Sequence, residues 1–122
     1  MRKSKPSAIQ EKPAATDYDR VVRLMTDPKL SKLKAALGKT HAMDLLFALY
    51  IGKARHVDIE PYFRQFGISI SDYPYYSRLK TFVKVGIAQQ VRIDSLRNYY
   101  VITEFGKKVA EQFIKFFDEL EG

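Results

Sequence analysis

The residues best suited to chemistry in this chain lie in the segment 71–86. Leu79, Phe82 and Val83 fall on one face of a helix there, with Tyr75 one turn earlier. The opposite face carries hydroxyl, aromatic and cationic side chains and no acid: Tyr73, Ser77, Arg78, Lys80, Thr81 and Lys84. Such a helix would bury one face and present cationic, hydrogen-bonding groups on the other. This pattern favours contact with a polyanion.

No catalytic set of residues accompanies this helix. The 122-residue chain has no cysteine, which excludes disulfides, thiolate zinc sites and cysteine nucleophiles. His41 with Asp44, and His56 with Asp58, are pairs rather than complete ligand sets. The sequence also contains no phosphate-binding glycine loop and no nucleophile elbow. We therefore expect no enzyme activity, no metal and no cofactor.

Composition favours a folded, cytoplasmic protein. Hydrophobic residues make up 46% of the chain and aromatic residues 13%, enough for a packed core. No apolar run approaches the roughly 20 residues needed to span a bilayer, and the basic start of the chain lacks the apolar segment of a secretory signal. We expect a single domain over residues 16–122 and no membrane partner.

The positive charge is unevenly distributed. The net charge is +7, and residues 72–103 carry +3 of it in a short segment, whereas residues 104–122 carry −2. Residues 1–15 are basic, contain two prolines and have few large apolar groups, so we interpret them as a disordered basic N-terminal arm. That arm is either a solvated terminus or a tether to a DNA backbone.

Two short helices are predicted between residues 16 and 38. Thr16 is the N-cap candidate of the first helix. Asp27 is the N-cap candidate of the second, with Pro28 at its first helical position. Gly38 ends the second helix. We expect the apolar stripes of both helices to pack in the core or in a dimer.

Two further helices are predicted before the segment 71–86. Thr40 is expected to cap the first of them, which ends at Gly52. Asp58 is expected to cap a helix over 59–66 that has Pro61 in its first turn. Ser71 is the expected cap of the helix 72–85.

After Gly86 the spacing of apolar residues changes from that of a helix to the two-residue period of a strand. Residues 87–93 and 99–102 alternate or are rich in β-branched and aromatic side chains, and a polar turn over 94–98 separates them. Thr103 is expected to cap a final helix over 104–120. The fold class predicted is mostly α with a small antiparallel β-hairpin.

Two segments carry a family resemblance. Residues 76–88 resemble the recognition helix and first strand of winged helix-turn-helix regulators, in which apolar residues lie seven and four positions before a glycine. Here these are Leu79, Phe82 and Gly86. Residues 100–108, where Thr103 ends a strand and Glu-Phe-Gly-Lys-Lys follows, are similar to the end of the wing in MarR, ArsR and PadR types. The run Tyr-Pro-Tyr-Tyr departs from the small residues usual in the recognition helix.

The resemblance covers about residues 40–120 and implies a winged helix-turn-helix domain, with extra N-terminal helices and a long C-terminal helix. It implies that helix 72–85 enters the major groove and that the wing 87–102 contacts the backbone or minor groove. It also implies a symmetric homodimer.

The expected DNA contacts differ in chemistry. Arg78 is the first choice for base readout, because a guanidinium can bind guanine through two acceptors. Lys80 and Lys84 suit phosphates as compact point charges. The other candidates are hydroxyl, tyrosine and wing arginine side chains: Tyr73, Tyr76, Ser77, Thr81, Arg92 and Arg97. Tyr75 is assigned to the core.

The helix over 104–120 is apolar over more than one narrow stripe. A terminal helix of this kind usually needs a second surface to cover it. The residues expected at a dimer interface are Phe113, Phe116, Phe117 and Leu120.

The function predicted is a sequence-specific, dimeric protein that binds double-stranded DNA, most simply a transcription regulator. One alternative is a non-specific, segregation-type or architectural DNA-binding protein. The other is a winged-helix module that binds protein and no DNA.

Overall fold

A computed structural model describes residues 16–53, 55–92, 94 and 98–122. The predicted arm 1–15 and Arg97 of the wing turn lie outside the described residues. Across the described ranges, the chain forms helices and one two-stranded antiparallel sheet, which confirms the mostly helical class with a hairpin. The elements are α1 (Asp17–Thr26), α2 (Pro28–Leu37), α3 (Ala42–Tyr50), α4 (His56–Arg64), α5 (Asp72–Lys84), β1 (Ala88–Arg92), β2 (Asn98–Ile102) and α6 (Glu104–Glu121).

The chain divides into two compact units, with the boundary between Ser31 and Lys32. In the first unit, α1 buries none of its side chains. Val21 and Met25 of its predicted apolar stripe are 50% and 67% exposed. Within this unit the stripe therefore packs against no core, and its use in the core or in a dimer stays a prediction.

The predicted starts of α1 and α2 are confirmed. The Thr16 hydroxyl accepts the Asp19 N–H at 3.1 Å, and the Asp19 carboxylate accepts the Thr16 N–H at 3.3 Å, which is a capping box. At the start of α2, the Asp27 carboxylate accepts the backbone N–H groups of Lys29 and Leu30 at 2.9 and 3.1 Å. Pro28 occupies the first helical position, where a missing N–H costs little.

The second unit, residues 32–122, contains the apolar core. Its large side chains come from α3, α4, α5 and the start of the hairpin. The largest of the fully buried ones are Leu45, Leu46, Ile59, Phe63, Tyr75, Leu79, Phe82 and Ile87. Tyr75 is 1% exposed, as predicted, whereas Val83 is 39% exposed and lies at the edge of the buried face.

The predicted start of α3 is wrong by one residue. His41 rather than Thr40 is the N-cap, in a left-handed conformation with φ 63°, and its side chain makes no capping hydrogen bond. The backbone reaches α3 through a tight turn, in which the Ala42 N–H donates to the Lys39 carbonyl at 3.0 Å. His41 Nδ1 lies 3.2 Å from the Asp44 carboxylate, so this pair spans the first turn of the helix.

The predicted helix over 59–66 is shifted. It begins at His56, with Arg55 as the N-cap residue, and ends at Arg64. The Asp58 carboxylate lies within the first turn and accepts from Arg55 Nε at 3.1 Å instead of capping the helix. Pro61 therefore lies inside the helix and not in its first turn. At that position it removes one backbone donor from the helix. Phe66, two residues after the end of this helix, is 62% exposed.

The hairpin is close to the prediction. β1 pairs antiparallel with β2 in a register that places Ala88 opposite Ile102 and Arg92 opposite Asn98. The described strands end at Arg92 and begin again at Asn98. The Thr103 cap is also confirmed, since its hydroxyl accepts the Gly106 N–H at 3.0 Å.

Gly106 allows α6 to begin close to the strands. A Cβ at this position would overlap the Ile87 carbonyl and lie 2.7 Å from Ile102 Cγ1. The Thr103 hydroxyl donates to the Ile87 carbonyl at 3.0 Å in the same place. The end of α5, the hairpin and the start of α6 are thus packed together without room for a larger residue.

Candidate nucleic-acid interface

Helix α5 is held by one buried face. Tyr75, Leu79 and Phe82 are at most 1% exposed, and they recur at the spacing of a single helix face. Ser71 occupies the N-cap position as predicted, but its side chain makes no capping hydrogen bond. Pro74 lies in the first turn, where it removes no intrahelical bond.

The opposite face of α5 carries a shallow concavity of about 250 Å³, which we call the α5 groove. Its members recur three or four residues apart along the helix. They are Tyr73, Tyr76, Ser77, Lys80, Thr81 and Lys84. The structure therefore brings six of the nine predicted DNA contacts together, on a surface without an acidic side chain.

The side chains of the α5 groove differ in accessibility. Tyr73 is 83% exposed and Tyr76 43%, so both rings are open to a partner. Lys80 and Lys84 are also exposed, whereas Ser77 and Thr81 are half-buried. The Thr81 hydroxyl donates to the Ser77 carbonyl at 3.0 Å, one turn earlier in the helix.

Arg78 lies outside the α5 groove. Its Nε donates to the backbone carbonyl of Thr40 at 3.1 Å, across 38 positions of sequence. The helical spacing places Arg78 on the flank between the buried face and the groove. The guanidinium that was predicted to read guanine is thus already hydrogen-bonded through Nε to the turn before α3.

His56 connects the start of α4 to the start of α5. Its Nε2 is buried and lies 3.4 Å from the Asp72 carboxylate, without the geometry of a hydrogen bond. Its ring lies 4.7 Å from that of Tyr75 and 6.3 Å from that of Tyr76. Asp58 is the acidic residue nearest to His56 in sequence, whereas Asp72 is the one beside its ring in the fold.

Tyr75 anchors this junction from the core side. Burial raises the pKa of its phenol well above the ordinary value, with smaller contributions from Tyr76 and Tyr100. Its ring lies 4.8 Å from that of Tyr76 in an edge-to-face arrangement. The buried tyrosine therefore supports the exposed tyrosine that lines the groove.

The hairpin supplies one described cationic candidate. Arg92 is exposed at the end of β1 and does not line the α5 groove. Tyr100 of β2 is 6% exposed, so it packs the hairpin against the core.

Helix α6 presents the expected apolar surface. Phe116, Phe117 and Leu120 are 53%, 49% and 67% exposed, and Phe113 is half-buried. The rings of Phe116 and Phe117 are 5.5 Å apart. In the single chain, these side chains form an exposed apolar surface on α6.

A second concavity, of about 330 Å³, has lining residues from α3, β2 and α6. Its polar side chains already have partners. The Tyr50 hydroxyl donates to Glu111 at 3.0 Å, which raises the pKa of the phenol. Lys107 lies 3.4 Å from Glu104, and Lys53 lies over the Tyr62 ring at 5.4 Å. This concavity offers fewer uncommitted cationic groups than the α5 groove.

Within the described ranges, no three histidine, aspartate or glutamate side chains come together as metal ligands, and no helix has the length and apolar character to cross a bilayer. Comparison with known proteins gave no match to a family model, a curated protein or a solved structure.

Proposed function

We propose that this protein binds double-stranded DNA as a homodimer and acts as a transcription regulator of the winged-helix type. The observation that carries the proposal is the α5 groove. It combines two lysines, two tyrosines and two hydroxyl residues on the face of α5 opposite to its buried face.

The dimensions of α5 suit this role. At 13 residues, it is about 20 Å long, and the major groove of B-DNA, about 12 Å wide, admits an α-helix. Lys80 and Lys84 are one turn apart on the exposed face and would neutralise phosphates, which releases counterions from the duplex. The tyrosines at the start of the helix would contact sugars or phosphates.

The hairpin directly follows α5 and supports the winged form of the proposal. Residues 85–87 connect the two, and the Thr103 hydroxyl donates to the Ile87 carbonyl, which brings the end of the hairpin back to the same place. The hairpin would place Arg92 beside the duplex backbone while α5 occupies the major groove of the DNA.

The proposed partner of α6 is the α6 helix of a second copy. The lysines of this helix lie in its first two-thirds, at Lys107, Lys108 and Lys115, whereas its last turn carries Asp118, Glu119 and Glu121. Antiparallel pairing of two such helices would place the acidic end of one beside the lysines of the other. It would also cover Phe116 and Leu120 symmetrically, as a two-fold interface requires.

The direct test is selection from a random pool of duplex DNA, followed by anisotropy titration. We expect enrichment of a two-fold symmetric sequence, with half-site centres about one helical turn apart. We also expect the affinity to fall steeply between about 50 and 200 mM salt. If no duplex binds at low salt, the proposal is wrong, and a protein-binding module becomes the better interpretation.

One observation favours a second candidate, a non-specific or architectural DNA-binding protein. Arg78 is bonded to Thr40, and the lysines that remain in the α5 groove suit phosphates better than base edges. In the same selection, this candidate predicts strong binding without an enriched sequence. A specific regulator instead binds its site at least about 1,000-fold more tightly than random duplex.

A further inference from the structure

The α5 groove lacks the planar side chains that bind base edges through two parallel hydrogen bonds. Arginine does so with guanine, and asparagine or glutamine with adenine. The groove residues are tyrosine, serine, threonine and lysine. Arg78, the guanidinium of α5, lies on its flank and donates through Nε to Thr40.

The two hydroxyl residues of the groove are bonded in a specific way. Because the Thr81 hydroxyl donates to the Ser77 carbonyl at 3.0 Å, its only donor hydrogen is used inside the helix. Thr81 then has its γ-methyl group and an acceptor lone pair left for a partner. A threonine with its donor occupied behaves more like a small apolar residue than like a hydrogen-bond reader.

Aromatic carbon extends this apolar character along the helix. Tyr76 lies five residues before Thr81 and Tyr73 eight residues before it, and both line the same concavity. Lys80 and Lys84, one turn apart, provide the charge that would hold a phosphate backbone against this surface. The groove thus combines an electrostatic contact with carbon surface.

Thymine presents the one apolar group that a standard base pair displays in the major groove, its 5-methyl. We propose that the α5 groove recognises pyrimidine 5-methyl groups in duplex DNA, with the Thr81 methyl as the principal contact. This inference rests on the proposed function, since it names what the same groove reads. The same chemical group occurs on 5-methylcytosine.

The test compares duplexes that differ only in this methyl group. Random-sequence duplex pools of equal length are made with deoxythymidine or with deoxyuridine in its place, and the affinity of the full chain for each is measured by anisotropy. We expect the uracil pool to bind about fourfold more weakly for each methyl group contacted. A third pool, with uracil and 5-methylcytosine, shows which source is read. If this third pool binds as tightly as the thymine pool, the protein recognises the methyl group on either base. If it binds as weakly as the uracil pool, recognition is restricted to thymine.

Thr81→Ser removes the methyl group and keeps the hydroxyl, so it should abolish the preference for the thymine pool. Thr26→Ser is the matched control, because the Thr26 hydroxyl also donates to a carbonyl one turn earlier, that of Val22, at 2.7 Å. It should retain the preference. Equal and measurable binding of the thymine and uracil pools by the unmodified chain would overturn this inference and leave DNA binding intact. Failure to bind any pool would instead overturn the proposed function.

Discussion

The Nε of Arg78 donates to the backbone carbonyl of Thr40 at 3.1 Å and so connects the middle of α5 to the turn that precedes α3. His41 follows in a left-handed conformation, which leaves the carbonyl before it outside the helical hydrogen-bond ladder. The guanidinium supplies the missing donor. Arg78 is therefore a positioning residue for α5 in this fold.

Arg78→Ala should lower the free energy of unfolding by about 1 kcal/mol, the net value of one such hydrogen bond. Lys80→Ala, two residues away on the exposed face, should change it by less than about 0.5 kcal/mol. Urea denaturation followed by circular dichroism measures both. Equal stabilities for the two variants would show that the contact with Thr40 contributes nothing.

Gly106→Ala should destabilise the protein by about 1–3 kcal/mol or more, because the new Cβ would overlap the Ile87 carbonyl and crowd Ile102. Gln112→Ala, at an exposed position of the same helix, should be neutral or slightly stabilising. Thermal melts of the two variants make the comparison. An unchanged melting temperature for Gly106→Ala would mean that α6 does not start against the hairpin as described.

Tyr75 should make the protein sensitive to alkali. Burial raises the pKa of its phenol in the folded state, so the folded state holds a proton that the unfolded state loses above about pH 10. The corresponding stability is complete below that pH and is lost as the pH rises further. Tyr75→Phe should flatten the decline of the melting temperature between about pH 9 and 11. A decline as steep as that of the unmodified protein would contradict this.

The dimer proposed for α6 should depend on its exposed phenylalanines. Replacing Phe116 and Phe117 by alanine should convert a dimer into a monomer in sedimentation velocity, because both rings are about half exposed in the single chain. Phe66→Ala is the control. It removes a ring that is 62% exposed but precedes α5 in the chain and is not part of α6, so the dimer should stay intact. A monomeric unmodified protein at all concentrations would exclude the α6 dimer.

Patterns local in sequence predicted much of the fold. The Thr16 and Thr103 caps, the hairpin strands and the burial of Tyr75 all follow from periodicity or from residues within one turn. The errors arise where contacts distant in sequence decide the outcome. Thr40 has the side chain of a good N-cap, but the backbone turns through His41 instead, and the Thr40 carbonyl pairs with an arginine 38 positions away.

The candidate site shows the same division. Helical spacing alone placed six residues on one face of α5, and five of them line one concavity: Tyr73, Ser77, Lys80, Thr81 and Lys84. It could not show that Arg78 is bonded to the turn before α3, nor that Asp72 lies beside His56. Asp58 misled for a related reason, since it lies in the first turn of α4 and its carboxylate pairs with Arg55, the N-cap residue, instead of capping the helix. Side-chain partners across elements are not encoded in periodicity.

A charge-matched comparison tests whether the α5 groove contacts DNA phosphates. Lys80→Ala with Lys84→Ala removes two charges from the groove, and Lys32→Ala with Lys34→Ala removes two exposed charges from α2. Affinity for random duplex DNA is measured for each double variant as a function of salt concentration. We expect the groove variant to lose at least about tenfold in affinity and to lower the slope of log K against log salt by about 2, one unit for each phosphate contact. The α2 variant should keep a slope close to that of the unmodified protein. Equal slopes for the two double variants would show that the lysines of the α5 groove do not contact phosphates.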